Sequence, residues 1–132
     1  MKKILALLLT LHALLFADFQ SIKTAEFEAL VKNGAPIIDI RTPDEWKEGV
    51  VPGSHKIMFF NEKGDYNVDK FLMQFAAVVK DKNQPFILVC RTASRTKVVG
   101  QFLANQMGYT NTKELAGGIM WGWSNFNKPV EK

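Results

Sequence analysis

The sequence of 132 residues is poor in the residues that most often organise a site. It has a single cysteine, Cys90, and two histidines, His12 and His55. One cysteine excludes an intramolecular disulfide and a dithiol redox pair. One cysteine with so few histidines is too small a set for the common zinc sites, and no metal or cofactor is expected. No block of lysine and arginine and no basic stripe with interleaved aromatics is present, so nucleic acid is not an expected partner. No apolar run reaches the roughly 20 residues of a membrane span. What is present suits a globular core: 47% of residues are hydrophobic and 23% charged, a balance that disfavours disorder.

The first seventeen residues differ from the rest. Met1-Lys2-Lys3 is a short positive start, Ile4 to Phe16 is apolar apart from Thr10 and His12, and Ala17 precedes the first acid, Asp18. This is the tripartite pattern of a secretory signal. Residues 1–17 are therefore expected to be a signal peptide and 18–132 one domain. The chain is expected to be exported, to the periplasm if the source is a Gram-negative bacterium, with no stable membrane span once the signal is gone. Cleavage after Ala17 removes Lys2 and Lys3 and takes the formal charge from +4 to +2. The alternative is an uncleaved first helix, which the lack of any polar face on Ile4 to Phe16 disfavours.

Strand and helix patterns alternate from there on. Phe19 to Ile22 suits a short strand. Thr24 can cap a helix whose face is Ala25, Phe27, Leu30 and Val31, and Gly34 can end it. Ile37 to Ile40 reads as a buried strand, Pro43 as the opening of a short helix, Pro52-Gly53 as a turn, and Lys56 to Phe60 as a strand. Asn67 can cap a helix through Val68, Phe71, Leu72, Phe75, Val78 and Val79. Phe86-Ile87-Leu88-Val89 is a continuous apolar run, as in a central parallel strand covered on both faces. Helical spacing returns from Ser94 to Met107, with Gly108 as its stop. Thr112 to Leu115 is a weak last strand, and Gly117-Gly118 leads into a short helix in which Trp121 and Trp123 are expected to anchor in the core. The pattern predicts an α/β domain with a mostly parallel sheet between helices.

The segment Cys90-Arg91-Thr92-Ala93-Ser94-Arg95 stands where a buried strand passes into a helix. Ligands of open α/β sheets bind at the carboxyl ends of strands. A quick turn from strand to helix gathers backbone N–H groups around one small space, an anion site. A cysteine there is favoured as thiolate, the nucleophilic form, without a histidine base. The alternative is that Cys90 is simply a buried strand residue. Of the two nearby arginines, Arg95 is the better functional candidate, because it lies in the first helical turn, where the dipole disfavours a cation.

Three regions of the sequence resemble the rhodanese family. They are the loop Cys90 to Arg95; Asp39-Ile40-Arg41-Thr42-Pro43-Asp44-Glu45-Trp46 with Gly49 to Ser54; and Leu115-Ala116-Gly117-Gly118-Ile119 with Trp123 and Pro129-Val130. They occur in family order over about Phe19 to Val130. The resemblance implies a three-layer α/β/α fold with a central, mostly parallel sheet of about five strands. It implies sulfur transfer from a thiosulfate-like anion through a persulfide on Cys90 to a thiol or cyanide acceptor, or to a protein acceptor. Backbone N–H groups of Arg91, Thr92, Ala93, Ser94 and Arg95 would cradle the sulfur, Arg41 and Arg95 would lie near it, and Asp39 would orient. A structural ion pair at the strand end is the other reading of Asp39 and Arg41. A non-catalytic module that carries sulfur or docks a partner is the alternative function. Cell-cycle phosphatases and arsenate reductases that resemble this family have one more residue between cysteine and arginine, so the four residues here favour sulfur over phosphate. Many members have glycine at the position of Ala93, so alanine is expected to be strained if φ is positive there. His55 is expected on the surface.

Overall fold

The computed structural model describes residues 18–132. The expected signal peptide, 1–17, lies outside the described residues. The elements are β1 (Asp18–Ile22), α1 (Thr24–Lys32), β2 (Ile37–Asp39), α2 (Pro43–Lys47), β3 (His55–Lys56), α3 (Val68–Val78), β4 (Phe86–Val89), α4 (Ser94–Gln101), β5 (Asn111–Leu115) and α5 (Gly118–Gly122). The five strands form one parallel sheet in the order β1-β5-β4-β2-β3.

Helices cover both faces, and strand alternation divides the core in two. Phe86, Leu88 and Cys90 share one face with Ile38, and there meet Phe71 and Phe75 of α3 and Val99 of α4. Ile87 and Val89 face the other way with Ile37 and Leu115, against Phe27 of α1 and Ile119 of α5. All four residues of β4 are wholly buried, as its continuous apolar run requires. Each such side chain contributes about 1.5–3 kcal/mol by leaving water.

Local chemistry sets the boundaries. Pro43 occupies the first position of α2, where its missing N–H costs nothing. Thr42 caps that helix in a reciprocal box with Glu45. The Asn67 side chain accepts from Lys70 N–H at the start of α3. Four expectations are corrected. Thr24 is the first residue of α1 rather than its cap; its hydroxyl donates instead to Gly122 C=O at 2.6 Å, tying α1 to α5. The strand expected over Lys56 to Phe60 is only His55–Lys56. The chain beyond it still bonds to Asp39 and Ile40, through Ile57 and Phe59 N–H, but β2 ends at Asp39 and offers no further partner. The helix from Ser94 is α-helical to Gln101 and then widens into a π-helical turn, Phe102–Gln106. Trp121 is 57% exposed and is no core anchor. Trp123 is buried, edge-on to Phe27 at 5.7 Å, with its indole N–H on Pro129 C=O at 2.7 Å. His55 is exposed.

Candidate active site

The Cys90 loop leaves the carboxyl end of β4, at the middle of the sheet. Three clamps hold it. The first is α5. Its leading N–H groups, from Ile119 and Met120, donate to the carbonyls of Cys90 and Arg91 at 2.9 and 3.0 Å. Gly118 permits that approach: a Cβ there would overlap the backbone carbonyl of Arg91 and the amide of Thr92. The Gly117-Gly118-Ile119 segment thus acts directly on the loop, a role its sequence does not reveal.

The second clamp is a pair of ion pairs from the β2–α2 segment. Asp39 accepts from Arg41 N–H at 3.0 Å, from the Arg41 guanidinium at 2.8–3.1 Å and from the Trp46 indole at 3.1 Å. Arg41 also donates to Gly49 C=O at 2.7 Å. Both partners are buried. Asp39 therefore orients Arg41 as an ion pair at the strand end, and Arg41 still lines the cavity described below. Glu45 takes the Arg95 guanidinium in a two-pronged pair at 2.7 and 2.8 Å. The bond from Arg95 outweighs the cost of partial burial and holds the Glu45 carboxyl down at about 2. Arg95 is in turn held more firmly charged, first by its bond to Glu45, and also by the charges of Cys90 and Asp39. Glu45 lies 50 residues from Arg95 in sequence, and no local signal pairs them.

The third clamp is internal. Thr96 Oγ1 lies 3.5 Å from Cys90 Sγ and donates to Glu114 Oε1 at 2.6 Å. Lys97 Nζ donates to Glu114 Oε2 at 2.8 Å and to Ala93 C=O at 3.3 Å. Thr96 and Glu114 are fully buried. Sequence reading singled out neither.

Within the loop, Ala93 has φ 72° and ψ 11°, the left-handed conformation that a Cβ disfavours. The expected strain is present. A left-handed residue leading into a helix turns consecutive N–H groups toward one concave side. Among the described residues, the backbone N–H groups of Arg91, Thr92, Ala93, Ser94 and Arg95 donate to no acceptor. Five donors around one turn form a cradle for an anion or for a charged sulfur. Cys90 itself is wholly enclosed, with no exposed surface. A cavity of about 310 Å³ reaches the loop at Arg91 and is lined by Arg41, Glu45, Ile119 and Met120 among others; Cys90 is not in its lining. Arg91 is exposed there and makes no ion pair among the described residues. Among the described residues, no group of three or more His, Cys, Asp or Glu could hold a metal ion, and no helix is long and apolar enough to cross a membrane.

Comparisons with known proteins agree with this architecture. The family model of the rhodanese-like domain matches residues 23–125. The thiosulfate sulfurtransferase GlpE of Pseudoalteromonas translucida is 27% identical over 115 residues, covering 86% of this chain and 98% of that protein. The uncharacterized protein RP600 of Rickettsia prowazekii is 26% identical over 109 residues, covering 76% of this chain and 85% of its own. Among solved structures, Rv0390 of M. tuberculosis superposes with a TM-score of 0.69 at 18% identity, covering 87% of this chain and 98% of that one. Such a likeness shows the fold. With the family match spanning most of the chain, the protein belongs to the rhodanese-like domain family, whose members act on sulfur donors and acceptors.

Proposed function

We propose that the protein is a sulfurtransferase that carries sulfane sulfur as a persulfide on Cys90. The observation that supports this most is the set of backbone N–H groups from Arg91 to Arg95 that have no acceptor among the described residues. A thiosulfate-like donor meets the Cys90 thiolate. The thiolate electron pair forms a bond to the sulfane sulfur, the S–S bond of thiosulfate breaks, and sulfite leaves with that bond's electrons. The charge now rests on the outer sulfur, within reach of the N–H groups, which stabilise it as they would an oxyanion. An acceptor thiolate or cyanide then attacks the outer sulfur and returns Cys90 as thiolate. Arg91, which lines the cavity and has no ion-pair partner among the described residues, attracts the donor anion. The Asp39–Arg41 and Glu45–Arg95 pairs hold the loop's shape rather than meeting the donor.

Cys90→Ser keeps the side-chain shape at slightly smaller volume and removes the nucleophilic sulfur. Sulfur transfer from thiosulfate to cyanide is expected to fall to background in that variant with the fold intact. Activity equal to the wild type rejects the reading.

One observation favours a second reading. Cys90 is fully enclosed, which suits a sulfur held for a partner rather than released to small thiols. A carrier forms the persulfide but does not discharge it to a small thiol such as dithiothreitol, and discharges it only to a protein acceptor. The expectation of export rests on the sequence of residues 1–17 alone. The intact mass of protein recovered from the periplasm, lacking residues 1–17, tests it.

A further inference from the structure

The Thr96–Glu114–Lys97 chain behind Cys90 has no part in the cycle above, yet it ends in a hydroxyl beside the sulfur. Thr96 has one hydroxyl proton. Glu114 is fully buried, and a buried carboxylate persists as an anion only when paired and hydrogen-bonded. Here Lys97 supplies the cation at 2.8 Å and Thr96 the short bond at 2.6 Å. An ionised carboxylate can only accept, so the Thr96 proton points to Glu114. What Thr96 presents to Cys90 Sγ, 3.5 Å away, is lone pairs. Lone pairs accept from a thiol S–H. They face the inner sulfur of a persulfide without penalty, because its charge sits on the outer sulfur. They repel a thiolate.

We propose that Glu114, acting through Thr96, is a positioning residue that favours the thiol, and the persulfide whose charge lies on the outer sulfur, over the bare thiolate of Cys90. Its meaning for sulfur transfer rests on the function proposed above: the site is biased toward the loaded state. Other groups near Cys90 pull both ways. The loop N–H groups, Arg91 and Arg95 favour the thiolate. Glu45 opposes it but is neutralised by Arg95, as Asp39 of β2 is by Arg41. Lys97 partly offsets Glu114. Glu114 is the acid whose effect reaches the sulfur through a hydrogen bond, so its removal is expected to dominate.

The test is a pH titration of thiolate ultraviolet absorbance on the full chain, with Cys90→Ser as blank. The single cysteine makes the signal specific, and enclosure of the sulfur does not hinder it. Glu114→Gln removes the charge and frees the Thr96 hydroxyl to donate to the sulfur. Its midpoint is expected about one pH unit below wild type, which is about tenfold more thiolate at a pH under both midpoints, the size of one charge-assisted hydrogen bond. Thr96→Val removes the acceptor of the S–H and is expected to lower the midpoint by less. In Thr96→Val, adding Glu114→Gln is expected to move the midpoint much less than it does alone. A midpoint unchanged or raised in Glu114→Gln overturns the proposal. If that variant does not fold, Thr96→Val decides: a raised or level midpoint shows that the hydroxyl serves the thiolate and overturns it equally. The titration needs no sulfur donor. It therefore stands or falls independently of whether the protein transfers sulfur.

Discussion

Two arginine–carboxylate pairs flank the cysteine loop, and they differ in burial rather than in chemistry. Asp39–Arg41 is sealed, with side chains 0% and 5% exposed, whereas Glu45–Arg95 is about a quarter exposed on each side. Asp39 satisfies its oxygens with Arg41 and the Trp46 indole, and Arg41 adds the Gly49 carbonyl. A sealed pair is expensive to assemble and far more expensive to break. The half-open pair is cheaper on both counts. The sealed pair therefore fixes where the strand end stands, and the open one ties Glu45 of α2 to the first turn of the helix that carries Arg95.

The largest effect is expected from breaking the sealed pair. Arg41→Met leaves the Asp39 carboxylate buried without its cation and should destabilise the fold by about 3–5 kcal/mol, read by urea unfolding. A loss below about 1 kcal/mol would show that the two pairs are equivalent. Next comes the α5 clamp. Gly118→Ala forces a methyl group into the Arg91–Thr92 backbone at φ 67° and should cost roughly 1–3 kcal/mol, with a larger proportional loss of sulfur transfer than of stability.

Glu45→Gln sharpens the contrast from the other side. Solvent screening limits its cost near neutral pH to about 0.5–1 kcal/mol. Its signature is in the acid range. Glu45 is held down to about 2 against an ordinary 4.5, so its stabilisation is full above 4.5 and is lost as pH falls from 4.5 toward 2. The variant should lack that part of the acid-unfolding slope; an identical slope would remove Glu45 from the picture. The smallest effect concerns the loop itself. Ala93→Gly relieves a left-handed alanine, worth about 1–2 kcal/mol, and returns about 0.5–1 kcal/mol to the unfolded chain. A net gain of about 0.5–1 kcal/mol in thermal unfolding is expected.

Much of the fold was legible where local chemistry and tertiary context agree. The run Phe86–Val89 is bounded in the structure as in the sequence, because four apolar residues between Pro85 and Cys90 leave no alternative. Pro43 and Asn67 mark helix starts for reasons internal to their own turns. The edge strand β3 is shorter than its apolar sequence suggests, since β2 ends at Asp39 and the Ile57 and Phe59 that follow it bury their side chains in the core with Phe71 and Phe75. The π-helical turn after Gln101 carries no composition signal. At the site, the loop and its left-handed Ala93 were legible. So was the Asp39–Arg41 pair at the strand end, but the acids that hold Arg95 and Thr96 were not. Glu45 and Glu114 lie 50 and 18 residues from the side chains they bind, and a lone acid in a polar strand reads as solvated. In the structure Thr112 and Glu114 share a strand face, and both are fully buried.

The proposed persulfide on Cys90 is tested most directly by intact-mass spectrometry before and after thiosulfate, followed by a thiol acceptor, on wild type and Cys90→Ser. A gain of one sulfur in the wild type alone is expected. Its loss to a small thiol marks the transferase and its retention marks the carrier. No gain in the wild type, or an equal gain in Cys90→Ser, contradicts sulfur transfer through this residue.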